Sequence, residues 1–436
     1  MTDCVFFSVE KNVFLKTKNM GRYIHLRLLL FLAILLFFYG CTPKTTVLKT
    51  GIWRCYLAID EKNPAHILPF FINIVRNDSD AIVGEIRNAE EKILLDSIWM
   101  VKDSIFMRTP LFDTEFKARI EGDKMTGVWM NYMRGKDYSI PFYADFGITE
   151  RFPLYGNETP EADLSGKWQV TFGPETEDSW NAIGEFTQNG NKIKGTFLTE
   201  TGDFRYLEGN IRGDEFLLSG FDGSHAFLFT AKIRDDYSLH GTFYSGKHWK
   251  TQWMGYKNPF AALRDPEKLT YLKPGYEGMA FCFPDLNGKP VCLSDEKYKN
   301  KVVLVQIMGT WCPNCMDETA LYAQLYHDYA SKGLEIIALA FEKSNDSTIV
   351  NKNIRRLIRQ YAIGYNVLWA GESAKEEANK VLPMLNNIVS YPTTLFINRQ
   401  GEIVKIYTGF MGPGTGQHYE TLVMELRAFV EELLNE

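Results

Sequence analysis

The chain has 436 residues, enough for two to four domains that each bury a core of their own. Hydrophobic residues make up 45% of it and charged residues 23%, as in ordinary globular proteins, which excludes a wholly disordered chain. The net charge is -6 and no basic face is interleaved with aromatic residues, so a nucleic-acid partner is not expected.

The N-terminus has the pattern of an export signal. Basic Arg22 and Arg27 precede an unbroken apolar run over residues 28–39. This run is shorter than the roughly 20 apolar residues that a transmembrane helix needs. A basic flank, a short apolar segment and the small Gly40 together predict a secretory signal over residues 1–40.

The end of this signal is followed at once by Cys41, and it resembles a bacterial lipoprotein signal. The resemblance implies that Cys41 is lipidated and that residues 41–50 form a short tether. Met20 makes a better-formed signal start than Met1. An uncleaved membrane anchor is the alternative. In both cases we expect a cell-envelope protein that faces the periplasm of a Gram-negative-type bacterium, on its inner or outer membrane.

Residues 51–257 have the pattern of β-strands. Short alternating runs such as "FFINIV", "EFKARI" and "KIKGTFL" are separated by turn sequences such as "IEGDK" and "QNGNK". Few helical stretches interrupt them. We expect about eight strands in each half of this region, arranged as a barrel or a sandwich.

The β-rich region also carries an internal repeat. "GIWRC" around Trp53 recurs as "GKWQV" around Trp168, 115 residues later, and "MTGVWM" recurs as "LHGTFY" at nearly the same spacing. Constant spacing predicts two copies of one unit, over residues 51–152 and 165–257. The Gly-x-Trp start resembles that of lipocalin-like barrels, which implies a ligand-binding barrel. The alternative is that both tryptophans are core aromatic residues.

The remaining part alternates strands and helices after a proline-bearing linker over residues 258–274. A hairpin is expected first, turning at Asn287-Gly288. The continuous apolar run "KVVLVQIM" then predicts a strand buried on both faces. A helix follows from the two cysteines to about Ser331, and "LEIIALAF" is a second buried strand. Two more helices, a short strand, a hairpin through Gln400-Gly401 and a closing helix complete the domain.

Two segments of residues 275–436 carry a family resemblance. "VVLVQIMGTWCPNC", followed downstream by "YPTTLFINRQGEIV", resembles the TlpA/ResA-type thioredoxin-like thiol–disulfide oxidoreductases. The resemblance implies an α/β thioredoxin-like domain behind the all-β tandem repeat. It implies an enzyme that acts on disulfide-containing client proteins, exchanges electrons with a membrane donor or acceptor, and needs no cofactor.

The C-x-x-C spacing suits a dithiol that shuttles electrons. Cys312 is expected at a helix N-terminus, where free N–H groups and the helix dipole favour the thiolate. Cys315 follows by one turn on the same face. The resemblance implies that Cys312 is the exposed nucleophile, that Cys315 is the resolving thiol, and that Pro392 is a cis-proline beside them. Trp311 is expected to shield the thiols and to line the substrate groove.

The sequence leaves two features of the reaction open: which group accepts the Cys315 proton, and in which direction electrons flow. Thioredoxin has a buried Asp on the strand before the motif, where this chain has Gln306, which cannot ionise. The resemblance implies that Glu318 supplies the carboxylate, and a solvated helix residue is the alternative. The Pro313-Asn314 pair between the cysteines departs from the family, and this dipeptide tunes the potential. Reduction of protein disulfides is the expected direction.

Two further cysteines, Cys282 and Cys292, flank the first hairpin symmetrically and face the same side. They are expected to form either a structural disulfide or an accessory redox pair that takes electrons from Cys315. Cys55 is the remaining, buried thiol.

Other functions fit less well. A zinc site needs about four ligands, and one C-x-x-C without a second pair does not supply them. A peroxidase would have Thr where Gly309 stands. A non-catalytic lipoprotein whose lipocalin-like repeats bind a ligand or partner remains the alternative function.

Overall fold

The structure of the protein is a computed structural model that describes residues 47–60, 62–63, 66–95, 97–153 and 159–436. The predicted signal over residues 1–40, Cys41 and the tether up to residue 46 lie outside the described residues. Within the part that is described, no helix is long and apolar enough to span a membrane.

The first half of the β-rich region is an antiparallel sheet of nine strands among the described residues. The strands are β1 (Gly51–Ala58), β2 (Ile67–Arg76), β3 (Ile82–Asn88), β4 (Glu91–Leu95), β5 (Ser97–Val101), β6 (Ser104–Arg108), β7 (Thr114–Glu121), β8 (Lys124–Asn131) and β9 (Ser139–Phe146). Their order in the sheet is β4-β3-β2-β1-β9-β8-β7-β6-β5. The sheet is curled, which brings Ile98 of the edge strand β5 next to Gly84 of β3.

The second half contains another nine strands and closes into a barrel. The strands are β10 (Gly166–Phe172), β11 (Trp180–Asn189), β12 (Lys192–Thr199), β13 (Gly202–Asp203), β14 (Leu207–Arg212), β15 (Glu215–Phe221), β16 (Ala226–Ile233), β17 (Leu239–Ser245) and β18 (Trp249–Lys257). The order is β11-β10-β18-β17-β16-β15-β14-β12-β13, and β11 also pairs with β12. This extra pairing closes the ring and leaves the two-residue β13 as an appendage.

The two sheets are built alike at the positions that the sequence repeat singles out. Trp53 and Trp168 are both buried, and each indole N–H donates to the backbone carbonyl four residues earlier, at 3.0 and 2.9 Å. Gly127 and Gly241 both lie where a side chain would collide with a carbonyl of the neighbouring strand. Both tryptophans are therefore core residues, and both glycines are required by close strand packing.

The C-terminal domain is thioredoxin-like. A hairpin of β19 (Cys282–Pro284) and β20 (Pro290–Cys292) precedes a five-stranded sheet. That sheet contains β21 (Val302–Met308), β22 (Leu334–Glu342), β23 (Asn366–Glu372), β24 (Thr393–Ile397) and β25 (Ile403–Thr408). Its helices are α1 (Pro313–Tyr329), α2 (Ser347–Tyr361), α3 (Lys375–Val381) and α4 (Gln417–Asn435).

Strand β21 lies at the centre of this sheet, in the order β23-β22-β21-β24-β25. It runs parallel to β22 and antiparallel to β24, and all seven of its residues are buried. This burial on both faces explains its unbroken apolar sequence. Helix α1 leaves from the end of this central strand, so the cysteines lie at the rim of the sheet.

The described residues from Leu48 to Glu436 form one compact unit. Each sheet has its own hydrophobic core, and the core of the first sheet also includes residues of the second: Phe221 of β15 stacks on Phe70 of β2 with ring centroids 4.4 Å apart. The linker over residues 258–274 is also partly docked, because the Lys273 N–H donates to the Met384 carbonyl at 2.8 Å. The β-sheets and the thioredoxin-like domain are thus packed together.

Candidate functional site

The two cysteines of the C-x-x-C motif lie at the start of α1 and form a disulfide. Cys312 is the residue before the helix, and its sulfur accepts the N–H of Cys315 at 3.2 Å. Pro313 occupies the first helical position, where no backbone N–H is needed. Cys312 keeps 6% of its surface exposed and lines a cavity, whereas Cys315 is fully buried. Only Cys312 can therefore meet a substrate directly.

Trp311 is folded back against the sheet beside the disulfide. Its indole N–H donates to the carbonyl of Phe341 at 3.0 Å, and its ring meets Tyr391 edge-on with centroids 5.6 Å apart. A side chain at Gly309 would collide with this indole. The glycine before Thr310 is thus what allows the tryptophan to lie across the strand end.

Pro392 lies directly before β24, in the segment that faces the disulfide. The Tyr391–Pro392 peptide bond is cis, and both residues are buried. The carbonyl oxygen of Tyr391 lies 3.5 Å from the sulfur of Cys312. The cis-proline segment therefore forms the wall opposite the helix N-terminus.

Glu318 lies in the core below the disulfide and is not a solvated helix residue. It is 1% exposed, and it accepts hydrogen bonds from Gln306 at 2.8 Å and Thr394 at 3.0 Å, and from Tyr322 at 3.1 Å. Burial raises the pKa of Glu318 to about 7, although these three donors oppose the shift. The carboxyl group is thus poised to gain or lose a proton near neutral pH.

A second buried carboxyl group supports the strand end from the other side. Glu342, the last residue of β22, accepts the backbone N–H of Thr310 at 2.8 Å and its hydroxyl at 2.6 Å. Burial raises the pKa of Glu342 to about 7, against the opposing effect of both Thr310 hydrogen bonds. The two contacts fix the turn that delivers Trp311 and Cys312.

The remaining cysteines lie in other parts of the molecule. Cys282 and Cys292 are directly opposite each other in the β19–β20 hairpin and form a disulfide. Cys55 is a free thiol in the first sheet, 1% exposed, and burial raises its pKa well above the ordinary value. Within the described residues, no group of three or more His, Cys, Asp or Glu is arranged to hold a metal ion.

Helix α1 is attached to both sheets by a buried guanidinium group. Arg205, from the segment after β13, pairs with Asp317 of α1 and with Glu91 of β4 at 2.6 Å, and lies 3.8 Å from Asp222. It also donates to the carbonyl of Pro313 at 3.3 Å. Burial alone would lower the pKa of Arg205, but the three carboxylates raise it well above its usual value.

The residue between the cysteines is held by the same segment. The Asn314 amide donates to the carbonyl of Asp203 at 3.2 Å, and the Asp203 carboxylate accepts the N–H of Gly412 at 2.7 Å. The Ser390 hydroxyl donates to the carbonyl of Thr201 at 2.8 Å. The β12–β14 segment of the barrel thus contacts the start of α1 and two loops around the disulfide.

The structure brings together Trp311, Cys312, Cys315, Glu318 and Pro392, which the sequence singles out for this site. It adds Tyr391, Glu342 and the barrel residues Asp203 and Arg205, which the sequence analysis does not identify. Two histidines of the β-rich region, His66 and His225, are partly buried and hydrogen-bond to Asp60 and Asp222. Their scattered positions in the sequence gave no sign of these partners.

Several known proteins with similar sequences are named thiol-disulfide oxidoreductases. A family described as the AhpC/TSA family matches residues 274–406. Thiol-disulfide oxidoreductase ResA of Bacillus subtilis (strain 168) is 29% identical over 152 residues, which are 35% of this chain and 76% of that protein. Thiol-disulfide oxidoreductase ResA of Bacillus anthracis is 31% identical over 145 residues, which are 33% of this chain and 73% of that protein.

Solved structures cover a similar share of the chain. A thiol:disulfide interchange protein of the thioredoxin family from Chlorobium tepidum TLS is 20% identical, covers 36% of this chain and 95% of its own, and gives a TM-score of 0.28.

Replacing Arg205 by methionine is expected to lower the free energy of unfolding by about 3–5 kcal/mol, because buried carboxylates would lose their partner. The matched control is Arg76→Met, whose guanidinium pairs with Asp80 at an exposed site and contributes at most about 1 kcal/mol. Urea unfolding of both variants at pH 7 measures the difference. A loss below about 1 kcal/mol for Arg205→Met would show that the buried cluster does not hold the sheets to α1.

Replacing Glu318 by glutamine is expected to change how stability depends on pH. The folded protein retains the Glu318 proton up to about pH 7, whereas the unfolded chain releases it near 4.5, so ionisation costs the wild type stability as pH rises through this window. Glu318→Gln should therefore gain about 3 kcal/mol relative to wild type between pH 4.5 and pH 8. Urea unfolding across this range checks it, with exposed Glu432→Gln as the control. A pH-independent difference would refute the shifted pKa.

Proposed function

The chain belongs to the ResA family of thiol–disulfide oxidoreductases, and on that premise we propose that it reduces disulfide bonds of client proteins outside the cytoplasm. The observation that carries the proposal is the unequal exposure of the two cysteines at the start of α1. Cys312 opens into a cavity and Cys315 lies fully buried behind it. This is the arrangement that a nucleophile and a resolving thiol require.

Reduction of a client begins at Cys312. The free N–H groups at the start of α1 stabilise its thiolate, which attacks one sulfur of the client disulfide and displaces the other as a thiolate. A mixed disulfide between Cys312 and the client results. Cys315 then loses its proton and attacks the Cys312 sulfur, which releases the second client thiol. Two electrons have passed to the client, and the Cys312–Cys315 disulfide remains.

The resolving step needs a group that accepts the Cys315 proton. Gln306 cannot take that role, but it donates a hydrogen bond to Glu318, which lies one helical turn after Cys315. A carboxyl group with a pKa near 7 is suited to exchange protons with a thiol at neutral pH. We assign to Glu318 the role of proton acceptor in this second step.

The cis-proline segment would hold the client backbone. Pro392 has no N–H of its own, and the backbone of Tyr391 is directed toward Cys312, with its carbonyl 3.5 Å from the sulfur. An extended client segment that pairs with Tyr391 would bring its disulfide onto Cys312. Trp311 would shield the mixed disulfide from water on the adjoining side.

The proposed location follows from the N-terminal sequence. Lipidation of Cys41 would tether the protein to a membrane of the cell envelope, facing the periplasm. In an oxidising compartment the dithiol has to be restored after each turnover. A membrane electron donor would supply the two electrons that reduce the Cys312–Cys315 disulfide again.

The proposal predicts that the purified chain reduces insulin disulfides with dithiothreitol as the electron source. Cys312→Ser should abolish this turnover, because no nucleophile remains. Cys315→Ser should stop after the first step and accumulate a mixed disulfide between Cys312 and insulin, visible by mass spectrometry. The matched control is Cys55→Ala, which removes a buried thiol in the first sheet and leaves turnover unchanged.

Wild-type turnover no higher than that of Cys312→Ser would contradict the proposed activity. Accumulation of the mixed disulfide in Cys312→Ser, and not in Cys315→Ser, would instead reverse the roles of the two cysteines.

A further inference from the structure

The cavity at Cys312 is formed by two parts of the chain in equal measure. It has a volume of about 390 Å³, within the range of ligand-binding pockets. Eight of its lining residues come from the thioredoxin-like domain and eight from the second β-sheet. The disulfide is therefore approached through a cleft that the thioredoxin-like domain does not form alone.

The wall from the second sheet is aromatic. Trp180 at the start of β11, Phe204 after β13 and Phe227 of β16 line the cavity, each only partly buried. Phe227 meets Phe204 with centroids 5.2 Å apart and stacks on His225 at 4.6 Å. Trp311 and Tyr391 of the thioredoxin-like domain line the same cavity. Several aromatic rings around a reactive sulfur suit an apolar or aromatic side chain.

The position of this wall is fixed by hydrogen bonds between the backbone and side chains. Ser224, just before His225, donates its hydroxyl to the carbonyl of Trp311 at 3.4 Å. On the other side, Asn314 donates to the carbonyl of Asp203, next to Phe204. The aromatic residues are thus attached at both ends to the residues that flank Cys312, and the cleft is preorganised.

Cationic side chains lie beside the same cleft. Lys343 stands over the Trp311 ring, 4.5 Å from its centroid. Burial is the main cause that lowers the pKa of Lys343, to about 8. Lys375 lies in the cavity lining itself.

The carboxylates nearest to these lysines are held by other partners. Glu342, next to Lys343 in the chain, accepts the N–H and the hydroxyl of Thr310, and Asp203 in the cavity lining accepts the N–H of Gly412. Lys343 and Lys375 are therefore available to an anionic group of a ligand.

We propose that the second β-sheet completes a client-binding cleft that selects an extended, disulfide-bearing peptide segment with an aromatic side chain beside its cysteine and a carboxylate close by. The aromatic side chain would lie against Trp180, Phe204 and Phe227, and the carboxylate would face Lys343 and Lys375. The inference rests on the proposed function, because it names the substrate class of the same Cys312–Cys315 site.

The test uses short peptides that are presented as disulfide-linked dimers with a quenched fluorophore, so that reduction releases fluorescence. One peptide carries Phe beside Cys and Asp further along, the second replaces Phe by Ser, and the third replaces Asp by Lys. With dithiothreitol as reductant, the wild-type chain should show a kcat/KM about tenfold higher for the first peptide than for either of the others.

Two sets of variants separate the two contacts. Trp180→Ala should reduce the preference for Phe over Ser to less than about threefold while the preference for Asp over Lys persists. The double variant Lys343→Gln, Lys375→Gln should weaken the preference for Asp over Lys while the preference for Phe over Ser persists, and salt should weaken only the preference for Asp. The matched control is Trp99→Ala, which removes an exposed tryptophan of the first sheet outside the cleft and leaves both preferences unchanged.

Equal kcat/KM for the three peptides in a wild type that reduces insulin would overturn this inference and leave the proposed function standing. Faster reduction of oxidised glutathione than of every peptide would also overturn it, in favour of a small-molecule disulfide. If neither insulin nor any peptide is reduced, the proposed function fails and this inference fails with it.

Discussion

A single buried guanidinium group connects the three parts of the molecule. Arg205 extends from the second sheet and pairs with Glu91 of the first sheet and Asp317 of helix α1. Because a buried charge without partners is very unfavourable, these groups are stable only together. The relative placement of the sheets and the helix is therefore fixed at the point where the helix presents its cysteines.

This constraint makes the reactive site a shared property of the chain. Two residues next to Arg205 also contact the site. The Asp203 carbonyl accepts a hydrogen bond from Asn314, which lies between the cysteines, and Phe204 lines the cavity. Below the disulfide, Glu318 and Glu342 fix the helix and the strand end through buried hydrogen bonds. The thioredoxin-like domain supplies the chemistry, and the second sheet determines how the sulfur is approached.

Local patterns in the sequence were sufficient for the thioredoxin-like part. A continuous apolar strand and the C-x-x-C spacing are features of neighbouring residues, and they locate β21 and α1, whereas the cis bond at Pro392 was implied by the family resemblance. The tandem all-β repeat was evident from the constant spacing of Trp53 and Trp168. About eight strands are expected in each copy and nine are described in each. In the second copy one of them is the two-residue strand Gly202–Asp203, which is too short to leave an alternating pattern.

The interactions between distant segments could not be predicted in this way. Arg205 and Asp317 are separated by 112 residues, and nothing in either neighbourhood indicates an ion pair. The aromatic wall could not be predicted from local patterns either, because Trp180, Phe204 and Phe227 belong to three different strands or turns. Their strand patterns indicate a core, and only the closed barrel brings them to the cavity.

The central claim is that Cys312 and Cys315 form a reducing couple, and the equilibrium reduction potential of the full chain tests it most directly. Equilibration with dithiothreitol or glutathione buffers, followed by thiol alkylation and mass spectrometry, gives the fraction reduced at this pair. The account predicts a potential at or below about -220 mV, in the range of glutaredoxins and thioredoxin. A potential near about -120 mV, as for a strong oxidant, would contradict it.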